Sequence, residues 1–578
     1  MNKKIVHSVF EDVARRFPRN IAVEEDGRAF TYEEIRRRAE EAARALKELG
    51  VGERAEGKPA EEDVVGVVLP PGADYVSAIL GTAMAGGVFL PLDAEFPAAR
   101  FQHLLERTTP AALVTREALE SRVRKILDSD SPFFASNCRS PISDSELVVL
   151  GPRGNGKDKA DRGAFEARPY PGDRREAEPD DGLYLVYTSG STGEPKIILG
   201  CHKGLSHFIH WEMKEFRLDP SVRVSLLAPV TFDVSLRDIF APLLSGGTLC
   251  VPDPETRMNP RRLLQWMDES QVTLVHCVPS LFRLLLRELE GEAALKPYPA
   301  ESRPPLKSLQ RILLAGEVLY GRDVTRWMDL FGDRVELVNL YGPSESTLAK
   351  AFHRIQGRPE DPRRAIPLGL PISNTALLVL EDGRLCRPGE TGEIFIKTPF
   401  LTKGYYRDPQ GTASSFVQNP LNPGARDTVY RTGDLGRYLP DRSVEFTGRR
   451  DRQVKVNGIR VEPAEIERAL RSHEGVEQGV VTAREGPDHE IRLVAYYTQR
   501  RNAPAPHGVG ADTQVRPYEC SADETPRTDT PTPPLECSAS KPLRADLRVR
   551  PDECSADETP RTDTPARPLE CSASKPVR

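Results

Sequence analysis

Residues Leu185–Lys196 read LVYTSGSTGEPK. The apolar run Leu183 to Tyr187 predicts a buried strand. The chain then breaks into eight residues made only of Thr, Ser, Gly, Glu and Pro, and ends on Lys196. Such a run has nothing to bury. Its glycines let backbone N–H groups turn inward, its hydroxyls donate hydrogen bonds, and the lysine adds positive charge. The stretch therefore predicts a loop able to close over an anion. Its spacing is not GxxxxGK[ST], which excludes a Walker A loop. Taken alone, it reads first as a polar surface turn, so its weight depends on what surrounds it.

Upstream, Thr31 followed by Glu34 predicts a capping box opening a helix that closes at Gly50. Short strands are expected at Ile21–Val23, Asp63–Leu69, Val88–Leu92 and Ala111–Thr115, with an apolar helix over Tyr75–Gly86. Strand–helix–strand at this spacing argues for a parallel α/β unit. Residues 129–182, rich in Ser, Pro, Gly, Asp and Arg apart from Leu147–Leu150, read as a long linker or surface excursion. Downstream, strands are expected at Val224–Ala228, Thr248–Val251, Leu274–Val278, Arg311–Ala315 and Val335–Asn339. Residues 376–447 alternate apolar and polar between turn signals and read as β-rich. Residues 452–498 read as a small α+β segment: a hairpin in VKVNGIRVEP, a helix in AEIERALRSH, and two strands in GVVTAR and RLVAYYT.

A chain of 578 residues is too long for one core, so at least two folding units are expected. With 38% hydrophobic residues and a net charge of −6, it reads as a soluble, mildly acidic protein that binds no nucleic acid. No apolar run reaches the length of a membrane span, and the N-terminus has no signal-peptide core. Cys138, Cys201, Cys250, Cys277 and Cys386 are scattered without a CxxC pair, which suits a reducing, cytoplasmic setting. From about residue 500 the composition turns to Pro, Thr, Ser, Asp, Glu and Arg. There the stretch 516–544 returns almost unchanged at 550–578. These repeats lack the apolar positions a stacked unit needs, so the tail is expected to be disordered. Its four cysteines (Cys520, Cys537, Cys554, Cys571) have wide spacing and no accompanying histidine, which argues against a metal site.

From about residue 7 to 498 the chain resembles the adenylate-forming superfamily, specifically the amino-acid adenylation domains of nonribosomal peptide synthetases. The motifs occur in the family's order: FTYEEI (30–35), LGTAMAGGVFLPLD (80–93), YTSGSTGEPK (187–196), FDVS (232–235), NLYGPSES (339–346), GEIFIKTPFLTKGYY (392–406), YRTGDL (430–435) and GRRDRQVKVNGIRVEPAEIE (448–467). The resemblance implies an α/β fold. A large N-terminal domain (1–450) would combine α/β layers with a β-rich subdomain. A small, incomplete α+β C-terminal subdomain (451–498) would follow, and then the disordered repeat tail (499–578).

It also implies roles. Thr188, Ser189, Gly190, Ser191, Thr192 and Gly193, with Lys196, would close over the β- and γ-phosphates of ATP. Glu345 would hold Mg²⁺, and Ser344 would donate to the α-phosphate or the acyl oxygen. Tyr341 would stack on adenine with Asn339 bordering it. Asp434 would accept both ribose hydroxyl protons, and Arg449 would also reach the ribose. Asp451 matches the hinge about which the small domain turns. Asp233 matches the acid that pairs with a substrate α-amino group. The acyl wall would comprise Val234, Arg237, His276, Leu313, Ala315, Leu340, Leu348 and Ala349. Arg237 and His276 stand out there. Either they meet a polar or acidic substrate side chain, or Arg237 points to solvent and His276 is a satisfied core histidine.

Two departures stand against the family pattern. Ile197 follows Lys196 where the family has Gly. No counterpart of the family's closing lysine motif follows Tyr497, which implies a shortened small domain and a gene break running into repeat sequence. The resemblance implies ATP-dependent activation of an amino acid as its adenylate, for transfer to the phosphopantetheine thiol of a carrier protein in trans. The alternatives are a remnant that binds ATP and amino acid without efficient turnover, and an acyl-CoA or aryl-acid ligase on the same fold, against which Asp233 argues.

Overall fold

The computed structural model describes residues 5–53, 62–127, 147–150, 177–188, 195–295, 306–456, 458–473, 475–486 and 491–499. The repeat tail, most of the stretch expected as a linker, and Ser189, Gly190, Ser191, Thr192 and Gly193 of the phosphate loop lie outside the described residues.

Local signals act where the sequence places them. Thr31 accepts from the Glu34 backbone N–H while the Glu34 carboxylate accepts from the Thr31 N–H at 2.7 Å, opening the helix Tyr32–Glu48. Losing such a cap costs about 1 kcal/mol. The helix Ala73–Ala85 is buried on nearly every side and ends on Gly86 in the left-handed region (φ 86).

Among the described residues two large sheets carry the body of the protein. One has six strands: Leu147–Leu150, Ala112–Arg116, Val64–Val67, Val88–Pro91, Gly182–Thr188 and Lys196–Cys201 in spatial order. Its central members pair in parallel, as the strand–helix–strand spacing predicts. The apolar tetrad Leu147–Leu150, inside the stretch read as a linker, is its parallel edge strand. Lys196–Cys201 is a strand that the sequence reading did not identify. It pairs antiparallel with Gly182–Thr188, in a register that sets Thr188 opposite Lys196. Both ends of the phosphate loop are thereby held at neighbouring positions on rigid strands. Ile197 is buried in the cluster of Leu185, Tyr187, Leu199 and Tyr406, so the departure from Gly is absorbed as packing.

The second sheet has nine strands, with Leu274–Cys277, Arg311–Ala315 and Glu336–Tyr341 adjacent and parallel. Register pairs His276 with Leu313, and Ala315 with Leu340, so these side chains gather at the carboxyl ends of the strands. That edge is where open α/β sheets hold ligands. Several strands differ from expectation in length; Ile21–Glu25, for one, runs two residues past Val23. Arg223–Ser225 stops before Leu226, and Glu336–Tyr341 runs on through Tyr341.

The β-rich region forms a third sheet, in which Thr428–Tyr438 pairs with Thr391–Lys397 and Val444–Arg449. Beyond it, Val454–Val456 and Ile459–Val461 form the expected hairpin, Pro463–Ser472 the helix, and Val476–Glu485 with Ile491–Gln499 an antiparallel pair. No helix among the described residues is long and apolar enough to cross a membrane.

Candidate active site

Tyr341 ends its strand with a buried ring, and its hydroxyl donates to Asp434 Oδ2 at 2.6 Å. Burial and the facing carboxylate push the Tyr341 phenol well above its ordinary range. Asp434 sits within Thr428–Tyr438, directly opposite Arg449 in the ladder, and Arg449 donates to its other oxygen. The Arg449 side chain is 13% exposed. Its Nε and Nη2 form a fork on Asp451 at 2.6 Å each, and Nη2 also donates to Gln453 Oε1 at 2.7 Å. Gly433 precedes Asp434 with φ 74, a conformation that L side chains rarely adopt. Asn339 is buried one strand position pair before Tyr341, and its Nδ2 donates to the Pro367 carbonyl at 2.9 Å.

Glu345 lies in the 3-10 turn Ser344–Ser346 and is completely buried. Its Oε1 accepts from the Tyr405 hydroxyl at 2.9 Å and from Arg460 at 3.3 Å. Oε2 has no partner. Burial pushes this carboxyl up, but Arg460 and the tyrosine hydroxyls outweigh it and hold its pKa below the usual value. Lys196 Nζ lies 4.8 Å from the centroid of the Tyr405 ring, within cation–π range. The Thr188 hydroxyl, at the opposite end of the loop, is buried and has no hydrogen-bond partner among the described residues.

Asp233 stands at the N-terminus of the helix Val234–Ser245, where its side chain makes no capping hydrogen bond, and is 6% exposed. Burial pushes its carboxyl up to about 6, with Glu345 adding to the push and Ser344 and Arg237 drawing it back. Arg237, one turn further on, is buried rather than solvent-facing. His276 is a satisfied core histidine: Nδ1 lies 2.9 Å from Asp238 Oδ1 and Nε2 lies 2.7 Å from Glu212 Oε1. Burial works against its charge, but the two carboxylates hold its pKa above the ordinary value. Leu348 and Ala349 follow the Glu345 turn. Thr347 and Leu348 both take positive φ (65 and 59), a strained pair of the kind found where chains are bent around a site.

A family model described as AMP-binding enzyme matches residues 10–406. This chain belongs to the AMP-binding enzyme family. It is 30% identical over 501 residues to tyrocidine synthase 1 of Brevibacillus parabrevis, covering 86% of this chain but only 41% of that protein. It is also 30% identical to zwittermicin A synthase ZmaJ of Bacillus cereus, covering 85% of each. Among solved structures, the nonribosomal peptide synthetase FmoA3 in its alpha-methyl-L-serine-AMP bound form is similar at 30% identity and a TM-score of 0.63. That match covers 78% of this chain and 45% of that one.

Three residues of this AMP-binding enzyme that the sequence reading did not single out enter the site. Arg460 and Tyr405 lie inside quoted motifs, but Arg460 is one of many charges in its motif and nothing in the sequence sets it apart. Lys350 lies in LAKAF, where one cation interrupts an apolar run. It is fully buried, and its Nζ donates to the Thr347 carbonyl at 2.6 Å. Burial pushes its pKa down to about 7, with Cys201 and Asp233 opposing.

Proposed function

We propose that this chain activates an amino acid with ATP and passes the aminoacyl group to the phosphopantetheine thiol of a carrier protein acting in trans. One arrangement carries the reading. Asp233, a buried carboxylate near the buried cations Arg237 and Lys350 but in no ion pair with either among the described residues, stands beside Ser344 and Glu345. The strand leading into that turn ends on Tyr341, which is bonded to Asp434. An ammonium-seeking carboxylate is thus joined to a nucleotide-type cluster by a few residues of chain. The likeness to a synthetase solved with an aminoacyl-AMP supports the same reading.

The residues present fit ATP and Mg²⁺. Asp434 uses one lone pair of each oxygen on Tyr341 and Arg449, which leaves acceptor capacity for two ribose hydroxyls. Tyr341 would meet the adenine ring, with Asn339 beside it and Arg449 near the ribose. The unpartnered Thr188 hydroxyl, Lys196 and the loop from Ser189 to Gly193 would hold the phosphates. The orphaned Oε2 of Glu345 is a hard oxygen donor, and Mg²⁺ needs only one or two protein carboxylates beside phosphate oxygens. When bound, the ion would offset the charge repulsion between two anionic reactants.

In the first half-reaction, an oxygen of the amino-acid carboxylate forms a bond to the α-phosphorus of ATP. The bond from that phosphorus to the bridging oxygen breaks and pyrophosphate leaves. Asp233 holds the ammonium, and Ser344 donates to the α-phosphate or the acyl oxygen. In the second, the carrier's thiolate sulfur bonds to the acyl carbon and AMP leaves. Residues 1–450 would form the large domain and 451–498 the small one. Asp451, in the turn between Val444–Arg449 and Val454–Val456, would be the hinge.

Amino-acid-dependent ATP–pyrophosphate exchange with the purified chain tests the proposal. Exchange stimulated by an amino acid, and lost in Asp233→Ala, is expected. Stimulation by carboxylic acids lacking an amine, with no response to amino acids, would replace it with an acyl or aryl acid ligase.

A further inference from the structure

Arg237 lies in the first turn of Val234–Ser245 and is 4% exposed. Among the described residues nothing accepts a hydrogen bond from its guanidinium, and its Nε is buried without a partner. The nearest carboxylate oxygen, Oδ1 of Asp238, is 3.8 Å away, beyond hydrogen-bond reach. That oxygen already faces His276 Nδ1 at 2.9 Å, and the other imidazole nitrogen is taken by Glu212. The histidine cluster is therefore closed on itself, and the arginine beside it is not part of its hydrogen bonding. A guanidinium has five N–H donors in a fixed fork and cannot lose its proton, so burying one without acceptors is a standing cost.

The position of that cost is informative. Asp233 already has helical backbone angles, so Asp233 and Arg237 are four positions apart on one face, with Cβ atoms ~5–6 Å apart. Arg237 comes within 4 Å of the Asp238 carboxylate, at 3.8 Å, and is not paired with Asp233. A buried anion and a buried cation one turn apart, not bonded to each other and the cation lacking a hydrogen-bond acceptor among the described residues, are complementary to a ligand with the opposite polarity: an ammonium at one end and an anion a few bonds away. Leu313 and Leu340, on adjacent strands of the nine-stranded sheet, are buried and apolar.

We infer that the amino acid taken by this chain carries a carboxylate on its own side chain, which the Arg237 fork receives while Asp233 receives the α-ammonium. The inference rests on the amino-acid-activating reading above and narrows it to the acidic amino acids. Arg237 is a specificity residue, and planar two-point recognition of a carboxylate is what a guanidinium offers and an ammonium does not.

The test is binding of non-reactive aminoacyl-adenylate mimics (5′-O-sulfamoyl adenosines bearing aspartate, glutamate, glutamine or leucine) to the full chain by calorimetry. Binding needs no turnover. One of the two acidic mimics is expected to bind about ten- to hundred-fold more tightly than the glutaminyl and leucyl mimics. Arg237→Met is expected to abolish that preference, and Arg237→Lys to keep part of it. Thermal melts of both variants check that they fold, and the wild-type ranking stands on its own if they do not. Equal or tighter binding of the leucyl mimic overturns the inference, would assign Arg237 to balancing the Asp238 and Glu212 charges, and leaves amino-acid activation intact. Binding of AMP with no binding of any aminoacyl mimic overturns both readings.

Discussion

Arg460 reaches Glu345 across 115 positions of chain, with Nη1 3.3 Å from Oε1. The glutamate belongs to the turn that follows Glu336–Tyr341 of the nine-stranded sheet, and the arginine to the hairpin Val454–Val461, so this pair fastens the hairpin to the site. The Gly458 N–H bonded to Glu317 is a second tie.

Removing the arginine alone leaves a buried carboxylate without its cation. Breaking one side of a buried pair costs about 3–5 kcal/mol, whereas removing both charges costs far less. Arg460→Ala should therefore lower stability by about 3 kcal/mol in denaturant unfolding, and adding Glu345→Gln should restore most of it. Strictly additive losses in the double variant would mean that the pair does not couple the hairpin to the turn.

Asp233 gives a pH signature of definite sign. Its folded pKa is raised from 3.8 to about 6, so between those values the folded state holds a proton that the unfolded chain has released. Stability therefore falls as pH rises through this window. Asp233→Asn should raise the melting temperature at pH 7 and leave it nearly unchanged at pH 3.5. Ligand binding runs the other way, because the substrate ammonium needs the ionised carboxylate. The KM for the amino acid in pyrophosphate exchange should be flat above about pH 6 and rise below it. A KM that stays level down to pH 5 would remove Asp233 from ammonium binding.

Much of the fold was legible because local signals and periodicity agreed. Thr31 and Glu34 open a helix, Gly86 closes one, and the apolar runs at 274 and 311 are parallel strands. Lys196–Cys201 escaped because its partner strand is separated from it by a polar loop, so no hairpin turn announces the pairing. The acyl wall was harder. Arg237 and His276 are equally odd in sequence, two polar side chains among leucines. What separates them is supplied from 64 and 38 positions away: Glu212 and Asp238 satisfy the histidine and leave the arginine unmet. Long-range polar pairing of that kind has no periodicity to read.

Lys350 is a buried cation whose only hydrogen-bond acceptor among the described residues is the Thr347 carbonyl. Its pKa falls from 10.5 to about 7 on folding, so from pH 7 to 10.5 the unfolded chain binds the extra proton and stability climbs with pH. The full cost is present below pH 7. Lys350→Met, similar in length and apolar, should raise the melting temperature most at pH 6 and progressively less toward pH 10. A destabilised variant at pH 6 would show that Lys350 supplies charge that Asp233 needs.

Gly433 tests the nucleotide cluster apart from the acyl pocket. Its φ of 74 favours glycine, and a Cβ there would sit 2.9 Å from Arg449 Nη2 and 3.2 Å from Asp451 Oδ2. The arginine end is not free to give way, because Asp434, Asp451 and Gln453 all hold it. Gly433→Ala should thus cost about 1–2 kcal/mol in backbone strain and push the Arg449 fork out of register with Asp434. Asp233 and Arg237 lie on a different element and keep their places. The expected outcome in pyrophosphate exchange is a raised KM for ATP with the KM for the amino acid unchanged. A parallel rise in both would mean that the substitution loosens the whole site, and that Arg449 and Asp434 do not form a separate nucleotide-holding unit.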